Sequence, residues 1–187
     1  MPAKSKKQTT SEPFTKQHTI NLVIETPRGK RNKFHYDEKR RQFSLKKVLP
    51  AGSSFPYDFG FVPGTKAQDG DPLDVLVLMD ESAFPGCRVE SRLVGVIEAE
   101  QVEDGKSIRN DRLVAVASAA HDYHQINSLK DVNDNLLQEL EHFFKSYNEA
   151  DGREFKLLGI KGPNSAHRLV EKNLLRVVAR RKRRKAK

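Results

Sequence analysis

Three carboxylates fall within six residues in Asp69-Gly-Asp-Pro-Leu-Asp, and an apolar run, Val75-Leu-Val-Leu-Met, follows at once. Crowded into a low-dielectric pocket, Asp69, Asp71 and Asp74 would repel one another unless a cation joined them. Asp69 and Asp71, two apart, can point the same way from an extended chain, while Pro72 fixes the backbone and Asp74 enters at the head of the next strand. A cluster of hard oxygens of this kind suits Mg²⁺, with Mn²⁺ as the alternative. The competing reading is a solvated turn, because Asp, Gly and Pro are common turn residues. Against it, Asp74 borders the apolar run, where an unpaired carboxylate is costly.

Other chemistry-bearing patterns are weaker. An EF-hand starting at Asp69 fails, since its sixth position needs Gly and holds Asp74, and its twelfth needs Glu and holds Asp80. Gly60 and Gly64 stand at the wrong spacing before Thr65-Lys66, and Gly105-Lys-Ser has Glu100 where a phosphate loop needs Gly. A nucleotide phosphotransferase therefore lacks its loop. His121 and His124 form His-x-x-His with no third partner, which suits a solvated or capping role. Ser53-Ser54 lacks a nucleophile elbow, and Cys87, between Gly86 and Arg88, has no visible base.

The elements that must position the aspartates are short. Thr19–Glu25, Lys33–Tyr36, Gln42–Lys46, Val75–Met79, Gly86–Ile97 and Arg112–Ala117 have the β-branched content or alternation of strands, with Gly and Pro between several of them. Short strands at such spacing predict a small antiparallel sheet or barrel. Leu136, Leu137, Leu140, Phe143, Phe144 and Tyr147 then fall at helical spacing, with Asn133 or Asp134 as cap. A second helix is expected from near Asn164 or Ser165, burying Leu169, Val170, Leu174 and Val177 and running into a basic tail. Strands first and helices last predict an α+β, mainly β fold: an OB-like five-stranded barrel with flanking helices.

At 187 residues, 36% apolar, the chain can fill one core but scarcely two. Its longest apolar runs are far below the ~20 residues of a membrane-spanning helix. A single cysteine excludes an internal disulfide, and no Cys/His zinc spacing exists. The first residues lack the apolar stretch of a secretory signal, so a reduced, cytoplasmic setting is expected. The formal net charge of +9 lies in two tails: residues 1–17 carry a net +3 and residues 176–187 a net +8, so the body is mildly acidic. Residues 1–17 are expected to form a mobile arm, and the block from Arg180 to fray by self-repulsion. Such tails allow weak, salt-sensitive contact with nucleic acid.

Upstream of the aspartates lies Ser54-Phe-Pro-Tyr-Asp-Phe-Gly-Phe-Val-Pro-Gly-Thr. From Phe55 to Leu78 the chain resembles the signature region of the family I soluble inorganic pyrophosphatases, whose Asp-x-Asp-Pro-x-Asp motif, followed by an apolar strand, it matches in full. Val23-Ile-Glu-Thr-Pro, Lys33, Arg112-Leu-Val-Ala-Val, Lys130-Asp-Val-Asn-Asp and Phe143-Phe-Lys-Ser-Tyr resemble further family blocks, in order. The similarity spans residues 18–175, leaving both basic tails outside the expected domain.

The resemblance implies an OB-like barrel, a requirement for Mg²⁺, hydrolysis of pyrophosphate to two phosphates, and a hexamer of identical chains. It implies Asp69, Asp71 and Asp74 as metal ligands, with Asp104 and Asn110 completing the metal set and Asp71 also the base for the attacking water. It implies Lys33 and Tyr147 as catalytic phosphate contacts, with Lys47 and Arg112 also binding substrate, and Glu25, His35 and Phe59 behind the ligands. Departures from the family pattern are also visible. His35 replaces a glutamate, Lys47 an arginine, Phe55 and Phe59 tyrosines, Arg112 a lysine and Asn148 a lysine. Asn110 stands where the family has a metal-binding aspartate; its neighbour Asp111 should face the other way. Asp104 matches the family's remaining loop aspartate only with one residue inserted. The expectation is an active but atypical pyrophosphatase. The alternative is a weakened pyrophosphatase-like barrel acting as a polyanion-binding or nucleic-acid-binding module.

Overall fold

The computed structural model describes residues 19–38 and 40–185, with side chains to residue 174. The expected basic arm, residues 1–17, lies outside the described residues. The strands are β1 (Ile20–Thr26), β2 (Asn32–Asp37), β3 (Gln42–Val48), β4 (Asp58–Phe61), β5 (Asp74–Leu78), β6 (Arg88–Glu103), β7 (Lys106–Arg109), β8 (Arg112–Ala117) and β9 (Glu154–Lys161). The helices are α1 (Asp134–Glu149) and α2 (Pro163–Lys185).

Five of these strands close into a ring in the order β1-β4-β5-β8-β6 and back to β1, which is the expected OB-like arrangement. All the pairings in the ring are antiparallel except β5 with β8, which run parallel. The interior is built by period-two burial where a strand has one wet face: Ile20, Leu22 and Ile24 of β1 are fully buried. Where both faces are covered the alternation disappears. Every residue of β8 is buried, as are Val75 to Leu78 of β5.

β6 is long enough to serve several partners. It pairs with β1, then β8, then β9 and β7, and its register shifts between Leu93 and Gly95 and again between Glu98 and Ala99. Such irregularities let one strand bend around a closed ring. The β2–β3 hairpin stands as its own two-stranded sheet.

In α1 the Asn133 side chain caps the first turn by accepting from the Asn135 N–H at 2.6 Å. The buried stripe Leu140, Phe144, Asn148 recurs every fourth residue. The second helix begins with Pro163, just ahead of the expected start, at the position where its missing N–H costs nothing. Its backbone is helical as far as Lys185, so the helix range includes the basic block from Arg180. Arginine and lysine are good helix formers, and extending an existing helix needs only one bond per residue.

β4, β7 and β9 are absent from the sequence-based reading. The loop between β6 and β7 is the two-residue turn Asp104-Gly105, with φ of 50° and 73°. Both central residues are left-handed, as a type I′ hairpin requires, and Asp-Gly is a favoured pair there.

Candidate active site

The aspartate loop leaves β4 and returns into β5, and its residues face one open cavity of about 280 Å³. Lys66 Nζ reaches the Gly70 carbonyl, and the Asp71 N–H donates to Asp69 Oδ1 at 3.1 Å. These bonds hold the turn so that Asp69, Asp71 and Asp74 all line the cavity. Asp69 opens to solvent at the mouth, yet the protein beside it pushes its pKa up, and the charges of Asp74 and Asp71 push it further. A cation would relieve that repulsion, and three carboxylates are the donor set of a hard divalent ion. Among the described residues no three His, Cys, Asp or Glu side chains are already drawn into a finished cage. Like charges spread apart until a cation draws them together, so the donors suit the ion without being preassembled around it.

The same cavity has a basic wall made by the β2–β3 hairpin. Lys33 and Lys47 are direct cross-strand partners, so both ammonium groups leave the same face. Two like charges side by side are unfavourable unless an anion lies between them. Each is steadied by aromatic faces: Lys33 Nζ lies 4.5 Å from the centre of the Phe59 ring and 5.6 Å from that of Tyr147, and Lys47 Nζ lies 3.6 Å from the Tyr147 ring. Phe59 is buried beneath Lys33 and does not line the cavity. Burial raises the Tyr147 pKa, an effect partly offset by the Lys47 charge, so the phenol keeps its proton and can donate.

Glu25, at the end of β1, is buried at the back, where its Oε1 accepts from the Tyr36 N–H at 2.8 Å and lies 3.6 Å from His35 Nδ1. Desolvation raises its pKa, while the Tyr36 N–H and the Lys33 charge pull it down. Arg112, at the head of β8, is buried and reaches Asp74 Oδ2 at 3.1 Å. Its Nη1 also donates to the Asn110 carbonyl at 3.0 Å and to Asn110 Oδ1.

The structure thus brings Asp69, Asp71, Asp74, Asn110, Lys33, Lys47, Arg112, Tyr147, Glu25 and His35 to one cavity. It does not bring Asp104, which sits exposed at the hairpin tip because the Asp-Gly turn points it away from the ring. Its neighbour Glu103 lines the cavity instead, paired with Arg153 at 3.0 Å. Asp111 faces elsewhere, as strand geometry requires, and accepts from Arg109 Nε at 2.6 Å. Gln101 and Asp151 are cavity residues that the sequence did not single out. Gln101 arrives only through the β6–β7 register, whereas Asp151, four residues past Tyr147, was within reach of a helix-end reading. A larger cavity of about 590 Å³, between α2 and the β6–β7 hairpin, is lined by Glu98, Glu100, Asp111, Arg109 and Lys172 and contains none of the aspartates of the Asp69–Asp74 loop. Arg109 there is already matched by Asp111 and by Glu98, the latter at 3.2 Å.

The family described as inorganic pyrophosphatase matches residues 22–177. An inorganic pyrophosphatase of Synechocystis is 36% identical over 152 residues, covering 81% of this chain and 88% of its own. A second, from Halalkalibacterium halodurans, is 33% identical over 152 residues, covering 81% and 91%. Among solved structures, the inorganic pyrophosphatase of Thermus thermophilus aligns with a TM-score of 0.80 at 32% identity, covering 90% of this chain and 97% of that one. A match that runs through the ring, the aspartate loop and α1 leaves little of the fold unaccounted for, and the chain belongs to the inorganic pyrophosphatase family.

Proposed function

We propose that this chain hydrolyses inorganic pyrophosphate to two phosphates in a metal-dependent reaction, with Mg²⁺ as the working ion and Mn²⁺ as a substitute. The observation that carries the reading is the meeting of three aspartates and two cross-strand lysines in one cavity of about 280 Å³. That space is below the size of a typical drug-like pocket and suits a small, highly charged substrate with its ions and water. Asp69, Asp71 and Asp74 are the ligands that would hold the ions. Bound there, divalent ions would supply Lewis acidity at the phosphoryl oxygens and lower the pKa of a water.

The remaining tasks fall to side chains. An Asp71 carboxylate oxygen takes the proton of the attacking water. Lys33 and Lys47 bind the phosphate oxygens and offset charge that grows on the leaving group, and Arg112 binds from the β8 side. The Tyr147 hydroxyl donates to a phosphate oxygen. Glu25, with His35 beside it, braces the wall behind Lys33.

Association of identical chains into a hexamer, and work in the cytoplasm, belong to the same reading. Leu45, Val48, Phe84 and Leu158 are apolar and exposed, and such contacts would cover surface of this kind. Sedimentation velocity tests the assembly.

Phosphate release from pyrophosphate, measured with Mg²⁺, with Mn²⁺ and with chelator, tests the activity. Release is expected with either ion and not with chelator, and Asp71→Asn should lower kcat by about 10²–10⁴-fold as the base is lost. No release with either ion from folded protein would overturn the reading.

A further inference from the structure

A chain of hydrogen bonds, closed by an ion pair, crosses the site from α1 to the aspartate loop. Asn148, fully buried on α1, donates through Nδ2 to the Phe144 carbonyl at 2.7 Å. Its Oδ1 accepts from Gln101 Nε2 at 2.5 Å, Gln101 Oε1 accepts from Asn110 Nδ2 at 2.6 Å, and Asn110 Oδ1 accepts from Arg112. Arg112 then ends the chain on Asp74 at 3.1 Å.

The two ends fix every amide between them. A backbone carbonyl can only accept and a guanidinium can only donate. Three carboxamides, each giving one bond and taking one, are the set that joins such ends without conflict. A carboxylate at position 110 would set an acceptor against Gln101 Oε1 and break the order. Both polar atoms of the Asn110 side chain are therefore engaged, although its place in the sequence suggests a metal ligand. Arg112 is also packed 5.5 Å from the Phe144 ring centre, so α1 fixes it both by that ring and by the carbonyl that starts the chain. Its Nε is buried without a partner, which leaves the guanidinium a donor the protein does not use.

We propose that Arg112 is a built-in cation of the Asp74 wall. Asn110, Gln101 and Asn148 are positioning residues that hold it there, Asn110 is not a metal ligand, and divalent ions gather toward Asp69 and Asp71. The inference rests on the metal-dependent reading above and extends it. Arg112 shares Asp74 with any incoming ion, so it limits metal binding while keeping a fixed positive charge for the substrate phosphate.

The test is the number and affinity of Mn²⁺ ions bound by the full chain, read from the electron paramagnetic resonance of free Mn²⁺, beside steady-state kinetics. Asn110→Ala should bind as many Mn²⁺ ions as the unaltered protein, while KM for pyrophosphate rises about tenfold and kcat changes less. Arg112→Met, which keeps bulk and removes charge, should tighten Mn²⁺ about fivefold by freeing Asp74. Loss of one Mn²⁺ ion in Asn110→Ala would overturn the inference alone. So would unchanged or weaker Mn²⁺ binding in Arg112→Met, which decides the matter even if Asn110→Ala does not fold. An unaltered protein that binds no Mn²⁺ would instead overturn the metal-dependent reading, and the inference with it.

Discussion

Lys47 Nζ lies 3.6 Å from the centre of the Tyr147 ring and 2.6 Å from Asp151 Oδ2, so the last turn of α1 and the residues after it hold a lysine that belongs to β3. The ring of Tyr147 seats Lys47, and its hydroxyl is the group proposed to serve the substrate, so the two tasks are separable. Tyr147→Phe keeps the first and loses the second. It should lower kcat by roughly 10²-fold, the cost of one well-aimed donor, with KM little changed. Tyr147→Leu loses both and should raise KM by a further factor of about 2–5, in line with a cation–π contact. Equal KM values in the two variants would show that the ring does not seat the lysine.

Metal should also stabilise the fold, in a pH-dependent way. Burial raises the pKa values of Glu25, Asp58 and Asp69 above their ordinary values of 4.5, 3.8 and 3.8. Asp58 is the driest of them, with Oδ2 unpartnered and Oδ1 accepting from the Arg28 N–H at 3.1 Å. A carboxyl group with a raised folded pKa holds more protons folded than unfolded. In metal-free protein its contribution is thus lost as pH rises from the ordinary carboxylate range through the raised value. If Asp69 ligates metal as proposed, metal reverses the sign there, because only the deprotonated carboxylate ligates. The rise in Tm on adding Mg²⁺ should therefore grow from mildly acidic to neutral pH, and shrink in Asp69→Asn. Thermal unfolding with and without Mg²⁺ across that range checks it; a rise independent of pH would exclude Asp69 as a ligand.

The acidic loop was legible because three aspartates before a buried strand conflict with burial unless something compensates them. The α1 stripe was legible because Leu140 and Phe144 repeat at helical spacing. β4 was not, since its residues Asp58–Phe61 are all buried and a four-residue run with no alternation carries no period. β7 was missed for the opposite reason: Lys106-Ser-Ile-Arg is almost wholly exposed and is a strand only because β6 offers an edge. The Asp104-Gly105 signal for that hairpin was present in the sequence. That signal marks a turn but not the register that brings Gln101 beside Asn110. Side-chain partners across a ring depend on register, which composition does not encode.

Asn148 tests how far the amide chain has committed the site. The family pattern has a lysine there, and the exposed end of a helix would accept one. Here position 148 is fully buried, and both polar ends of its amide are engaged. Asn148→Lys would bury an ammonium with no carboxylate among the partners of that amide, at a cost of about 3–5 kcal/mol. For a chain of this size Tm should fall by roughly 10 °C. A Tm within a degree or two of the unaltered protein would mean that the pocket can open to admit the charge.

Gly60 joins stability to chemistry. It pairs with Ile24 of β1 on one side and Val75 of β5 on the other, one residue from Glu25 and from Asp74. A Cβ there would meet the Val23 carbonyl oxygen at 2.2 Å and the Ile24 Cα at 3.1 Å, all backbone that cannot rotate away. Gly60→Ala must therefore push β1 and β4 apart, costing about 3 kcal/mol by overpacking. The same displacement separates the Glu25 wall from the head of β5. Because misplacement by about 1 Å can cost 10²-fold in rate, kcat per folded molecule should fall by roughly that factor. Gly159→Ala is the matched control: its Cβ would meet only the Glu98 carboxylate, at 3.7 Å, so Tm and kcat should hardly move. Circular dichroism melts and turnover of the folded fraction separate the two effects. If Gly60→Ala lost stability but kept its turnover, the spacing between β1 and β5 would not be what sets the geometry of the aspartates.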